Sequence, residues 1–152
     1  MSIESWQSAL IKPGDKIVVR LDLNVPLRDG VVQDKSRIEH AAPIIQALQD
    51  KGAKIVILTH LGRPDGEVLT DMSTEQLLPA LKECWGADVT FCSDFAAESE
   101  DCFQIIDSLE EGGICLMENM RFSPDETKND PDFARNLAKL GQLFINDAFS
   151  VS

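Results

Sequence analysis

The run Lys16-Ile17-Val18-Val19-Arg20-Leu21-Asp22-Leu23-Asn24-Val25-Pro26 constrains this chain more than any other stretch. Its β-branched residues predict a strand over 17–23. Side chains alternate across a strand, so Val19, Leu21, Leu23 and Val25 share one face, and Arg20, Asp22 and Asn24 share the other. A cation, an anion and an amide in a row on a buried strand are costly unless each finds a partner. Either the three close into a polar network or they face a ligand.

Strand and helix patterns alternate along the rest of the chain. Further strands are predicted at 54–59, 88–92, 114–118 and 143–147, mostly as short apolar runs of the kind found in parallel strands covered on both faces. A helix is predicted over 37–50, with Ser36 and Glu39 as a capping box and Pro43 as a kink. Residues 74–85 repeat that opening with Ser73 and Gln76. A helix over 130–140 starts at Asp130-Pro131, and a weaker one is expected near 98–110. Asp29-Gly30 predicts a small hairpin, and Gly62-Arg63-Pro64-Asp65-Gly66 a loop leaving the second strand. The expected fold is α/β: a doubly wound, three-layer α/β/α (Rossmann-like) arrangement around a mainly parallel sheet.

The 152 residues fit one domain with a real core. A net charge of −12 argues against nucleic acid or an anionic membrane as partner, since both require a positive footprint. Met1-Ser2-Ile3-Glu4-Ser5-Trp6 does not read as a basic segment followed by an apolar one, so a cytoplasmic location is expected. The chain stops just past an apparent strand, which suggests a piece of a longer protein. The four cysteines (84, 92, 102, 115) form no C-x-x-C pair, and reduced thiols are expected in place of disulfides. No metal site is expected, because His40 and His60 stand far from any cysteine pair at ligand spacing.

In an open parallel sheet, ligands sit beyond the carboxyl ends of the strands. Asp22 and Asn24 follow the first strand, with Arg37 beyond the hairpin. Thr59, His60, Leu61, Gly62 and Arg63 follow the second, Ser93 and Asp94 the third, Glu118, Asn119 and Arg121 the fourth, and Asn146 and Asp147 the fifth. Four of the six arginines (Arg20, Arg37, Arg63, Arg121) thus fall on or near one edge, and the planar guanidinium suits a carboxylate or phosphate. Plainer alternatives stand beside this one. Arg20 and Asp22 could pair with each other, His60 could be a structural histidine, Arg63 solvated surface, and Arg121 one half of an ion pair. The sequence has no Walker A pattern and no G-x-G-x-x-G, so a nucleotide would not be held by these residues.

The segments 20–26, Ser36-Arg37-Ile38, Thr59-His60-Leu61-Gly62-Arg63-Pro64, Glu118-Asn119-Met120-Arg121-Phe122 and Asn146-Asp147-Ala148-Phe149 resemble, in order and spacing, the successive motifs of the phosphoglycerate kinases. The likeness spans essentially the whole chain; Met120 stands where leucine is common. It implies reversible phosphoryl transfer between 1,3-bisphosphoglycerate with ADP and 3-phosphoglycerate with ATP, a step of glycolysis.

By this resemblance the chain is the N-terminal half of a two-domain kinase, residues 1–152 forming the 3-phosphoglycerate-binding domain, incomplete in extent. Mg-ATP or Mg-ADP would bind a C-terminal domain outside this chain, and the chain alone would not turn over. The full-length enzyme would be a monomer, with only small-molecule partners. Asp22, Leu23 and Asn24 would contact substrate, and Arg20 would build the patch beneath them. Arg37 would be the catalytic arginine. His60 and Arg63, with the backbone around Leu61 and Gly62, would bind the phosphate and carboxylate region, and Arg121 the non-transferred phosphate. The rival expectation is a non-catalytic anion-binding or regulatory module with the same half-fold.

Overall fold

The computed structural model describes residues 11–21, 23, 25–59, 73–92, 100–119 and 143–147. Its main sheet has five strands: β1 (Lys16–Leu21), β4 (Lys54–Leu58), β5 (Val89–Cys92), β6 (Ile114–Met117) and β7 (Leu143–Asp147). They lie in the order β5-β6-β4-β1-β7, and every pairing is parallel. The strands β2 (Leu27–Arg28) and β3 (Val31–Val32) form the expected hairpin. Asp29 (φ 53°) and Gly30 (φ 78°) both take the left-handed backbone that a tight two-residue hairpin turn requires.

The three α-helices among the described residues divide between the two faces. Helices α1 (Ser36–Asp50) and α2 (Leu78–Trp85) follow β1 with its hairpin, and β4. Their buried residues, among them Ile38, Ile45, Leu48, Leu81 and Trp85, join Ile17, Val19, Leu21, Ile55, Ile57 and Leu116 in one core. Helix α3 (Glu100–Asp107) follows β5, and its Ile106 packs with Val18, Val56, Leu58, Cys115 and Met117 in a second core. Alternate residues of each strand therefore serve opposite faces, which is why the strands read as unbroken apolar runs. The layering is α/β/α with a parallel sheet, as expected. Leu21, Leu23 and Val25 all enter the first core, as the alternation requires.

Several local expectations are corrected. The strand ends at Leu21, two residues earlier than expected, because the N–H of Leu23 turns to a side chain on β4's exit. Ser36 is the first residue of α1, not its cap. The Asp34 carboxylate accepts both the Ser36 N–H (2.9 Å) and its hydroxyl (2.6 Å), and Lys35 stands at the cap position with no side-chain cap bond. No capping box forms with Glu39.

Pro43 does not break α1, which runs through to Asp50. Glu39 and Pro43 both lie on the exposed side, where solvent can take the carbonyl that the missing N–H would have bonded. The segment after Ser73 opens as a 3₁₀ turn (Thr74–Leu77) before α2. Ser73 accepts the Glu75 N–H, but the Gln76 amide donates to the Ser73 carbonyl (2.9 Å), not the pattern of a capping box. The indole N–H of Trp85 donates to the Ile38 carbonyl (2.9 Å), fastening α2 to α1. The expected helix over 130–140 and the loop 62–66 lie outside the described residues.

Candidate functional site at the carboxyl edge of the sheet

Chain leaving β1 and β4 goes to the face that carries α1 and α2, whereas chain leaving β5 goes to the face that carries α3. The departure side changes between β4 and β5, with β6 standing between them. Such a change opens a crevice beyond the carboxyl ends of the strands, where open α/β sheets place ligands.

The register aligns the motif-bearing ends there. Arg20 of β1 lies level with Leu58 of β4 on one side and Asn146 of β7 on the other, and Leu21 with Asp147. Ile57 pairs with Leu116, so β6 ends at the same level. Four segments far apart in sequence therefore leave the sheet along one edge.

Polar fastening concentrates at this edge. The buried polar side chains among the described residues are Thr59, Thr74 and Asn119, all three at the exits of β4 and β6 or packed on them. The Thr59 hydroxyl oxygen accepts the Leu23 N–H at 3.1 Å, tying the exit of β1 to that of β4. The Thr74 hydroxyl donates to the Met117 carbonyl at 2.8 Å. The half-buried Glu118 carboxylate accepts the Thr74 N–H (2.9 Å) and the Asn119 N–H (2.8 Å) on Oε1, and the Ser73 hydroxyl (2.8 Å) on Oε2. The Glu118 N–H in turn donates to the Cys92 carbonyl (2.9 Å), bringing in the exit of β5.

The sequence-identified residues fall into three groups. Arg20 is half-buried at the carboxyl end of β1, on the face of Val18. Leu23 has its side chain in the core and its N–H committed to Thr59. Arg37 is exposed in the first turn of α1, beyond the hairpin. Asp22, Asn24, His60, Leu61, Gly62, Arg63 and Arg121 lie outside the described residues. Asp34, three residues before Arg37, has its carboxyl held below the ordinary range, first by the Ser36 hydroxyl and N–H and more weakly by the Arg37 charge.

The sequence places Thr59 and Glu118 at strand ends but gives them no role, and it does not place Ser73 or Thr74 at this edge. Their signal was positional: polar residues immediately at the ends of apolar strand runs, where the backbone leaves the ladder and its donors need new partners.

Thiol chemistry has no support here. Cys92 and Cys115 are buried and Cys84 half-buried, none of the three in a disulfide, and burial pushes the Cys115 thiol up to about 12, with Cys92 adding to the effect. Among the described residues no group of three His, Cys, Asp or Glu side chains is placed to hold a metal ion. No helix among them is long and apolar enough to cross a membrane.

Comparison with known proteins shows the family and the fold. The family described as phosphoglycerate kinase matches residues 9–152. The phosphoglycerate kinase of Sinorhizobium fredii is 45% identical over 139 residues, 91% of this chain and 34% of that protein. That of Clostridioides difficile is 40% identical over 139 residues, again 91% of this chain and 35% of the relative. The solved phosphoglycerate kinase of Coxiella burnetii superposes with a TM-score of 0.82 at 29% identity, over 99% of this chain and 36% of that one. The chain thus spans about a third of the length of the relatives it matches. With the match running from residue 9 to residue 152 and the same parallel sheet beneath it, the chain belongs to the phosphoglycerate kinase family.

Proposed function

We propose that these residues form the substrate-binding domain of a phosphoglycerate kinase, holding 3-phosphoglycerate or 1,3-bisphosphoglycerate along the carboxyl edge of the sheet. The observation that carries this reading is the register: Arg20, Leu58 and Asn146 stand in one row, so three motif segments leave the sheet side by side. The family match supports the reaction class. The nucleotide, ATP or ADP with its Mg²⁺, would be held by residues outside these 152, in keeping with relatives about three times as long. The described residues offer the metal no cluster, and no role for it is assigned to them.

Phosphoryl transfer asks mainly for positioning and for charge stabilisation, and little covalent chemistry from the protein. A phosphate carries about −1.5 to −2 charge near neutral pH, and the substrate's carboxylate adds to it. In this reading Arg63 and Arg121, with His60 and the backbone of Leu61 and Gly62, hold the groups that do not react. Asp22 and Asn24 orient the substrate beside β1, with Leu23 anchoring the backbone between them and Arg20 supplying positive charge beneath.

Arg37 stabilises the charge on the moving phosphoryl group. Its place in the first turn of α1 supports this, since a cation near the positive end of a helix is unfavourable until an anion arrives. Calorimetric titration of the chain with 3-phosphoglycerate tests the reading. Weak, salt-sensitive binding is expected; absence of heat and of saturation at millimolar ligand would overturn it. Binding by this chain without phosphoryl transfer in the whole protein would favour a non-catalytic anion-binding module instead.

A further inference from the structure

Glu118 sits at the exit of β6, on an edge proposed to attract anions, yet it carries a negative charge. Simple electrostatics would count against it there. Its contacts explain its presence another way. Among the described residues, donors from three converge on its carboxylate: the backbone N–H groups of Thr74 and Asn119 on Oε1, the Ser73 hydroxyl on both oxygens (2.8 and 3.0 Å), and the Thr74 hydroxyl more distantly on Oε1 (3.3 Å). None of the three is a cation. A carboxylate accepts only, so it can hold all three without competing protons. Thr74 and Asn119 are fully buried, which leaves solvent little access to replace the acceptor their N–H groups would lose.

The positions of these donors in the chain give the carboxylate its reach. Ser73 closes the segment 60–72, which carries His60, Leu61, Gly62 and Arg63. Asn119 opens the segment that carries Arg121. The other end of 60–72 is fixed by the bond from Leu23 to Thr59. One carboxylate therefore ties Ser73 and Thr74 to Asn119, and the Glu118 N–H ties them to β5 through Cys92.

We infer that Glu118 is a positioning residue for substrate binding: it holds Ser73 and Thr74, which follow residues 60–72 in sequence, against Asn119 at the exit of β6, two residues before Arg121, and it touches no ligand itself. This rests on the function proposed above. The role is geometric, so it survives loss of the charge provided an acceptor remains. In Glu118→Gln the amide oxygen can still receive the Thr74 and Asn119 N–H groups. In Glu118→Ala both lose their acceptor. The two variants remove the same charge and differ in whether an acceptor remains for these N–H groups.

The test is titration of 3-phosphoglycerate into the full chain and both variants, with amide shifts recorded before and after ligand. Glu118→Gln is expected to bind within about twofold of the parent, and Glu118→Ala to lose affinity roughly tenfold while remaining folded, as misplacement of a binding group demands. Without ligand, amides of 60–63 and of 121 should shift in the alanine variant and hold in the glutamine variant. Equal affinities for the two variants, or tighter binding in both, overturn the inference and leave the proposed function standing. No binding by the parent chain overturns the proposed function, and the inference with it. Should Glu118→Ala fail to fold, Ser73→Ala replaces it: it removes one donor to the carboxylate together with the acceptor of the Glu75 N–H, and a loss of roughly threefold in affinity is expected. Unchanged affinity in that variant contradicts the inference.

Discussion

The N–H of Leu23 donates to the hydroxyl oxygen of Thr59 across 3.1 Å, linking residues 36 apart at a fully buried position. Leu23 has just left the ladder of β1, and Thr59 has just left that of β4, so the bond replaces the strand pairing that ends two residues earlier. Thr59→Val keeps the shape and removes the acceptor. The buried Leu23 N–H is then unsatisfied, and a loss of about 1–3 kcal/mol in stability is expected from urea unfolding. Thr59→Ser should retain most of it. Equal stability of the valine variant and the parent would show that the bond is dispensable.

The Trp85 indole is the second such tie, between helices. Trp85→Phe removes the donor to the Ile38 carbonyl while keeping much of the apolar volume in the α1–α2 core. A loss of roughly 1–3 kcal/mol is expected, from the orphaned carbonyl together with the smaller ring. Denaturant unfolding monitored by circular dichroism checks it, because the variant also loses one of the two tryptophans.

Asp34 should titrate below its ordinary value of 3.8, since the Ser36 hydroxyl and N–H both favour its charged form. A depressed folded-state value means that the stabilising contribution is present above the unfolded value and is lost as pH falls through the folded one. Ser36→Ala should raise the Asp34 midpoint toward the ordinary value in a carboxyl-carbon NMR titration. An unmoved midpoint would mean that the hydroxyl bond contributes nothing.

Cys115 gives the opposite sign at the alkaline end. Its thiol is pushed from an ordinary 9.0 up to about 12 by burial. Above pH 9 the unfolded chain gives up this proton while the folded one retains it, so stability should fall as pH rises from 9 toward 12. Cys115→Ala should flatten that part of the stability–pH curve. In the parent, alkylation of Cys115 read by peptide mass should follow global unfolding, whereas the half-buried Cys84 should react earlier.

The arginines should separate by role. Arg63→Ala and Arg121→Ala are expected to weaken 3-phosphoglycerate binding by roughly tenfold or more each, as loss of a charge-assisted bidentate contact implies. Arg37→Ala should change binding by only about twofold, because its contribution is greatest where charge develops in the transition state. A large binding loss in Arg37→Ala would remove that distinction.

Much of the sheet was legible in the sequence because its strands are buried on both faces. Runs such as Ile55-Val56-Ile57-Leu58 have no polar position to confuse them, and every main strand was found to within two residues at either end. The hairpin was legible because Asp29-Gly30 is a turn that only certain residues can make. Helix starts were less so. Ser36 and Glu39 have the spacing of a capping box, but Asp34 reaches the Ser36 N–H first, and no propensity distinguishes two competing acceptors two residues apart. Pro43 reads as a kink in the sequence, and the helix continues through it to Asp50 with Pro43 on its exposed side. Arg20 was legible as an oddity on an apolar strand. Thr59 and Glu118 were legible as strand-end residues but their bonds were not, since these depend on which strand ends become neighbours, and that depends on a strand order the sequence does not state.

The central claim is that anionic substrate binds at the carboxyl edge, between the ends of β1, β4, β6 and β7. The most direct measurement is an NMR titration of the labelled chain with 3-phosphoglycerate at low and at high salt. The expected result is saturable shifts at Arg20, Leu23, Thr59 and Asn119 and in the flanking segments 60–63 and 121, weakened by salt as exposed charge pairing requires. Shifts confined to the opposite, amino-terminal edge of the sheet, near Lys16, Lys54 and Ile114, or no shifts at millimolar ligand, would contradict it.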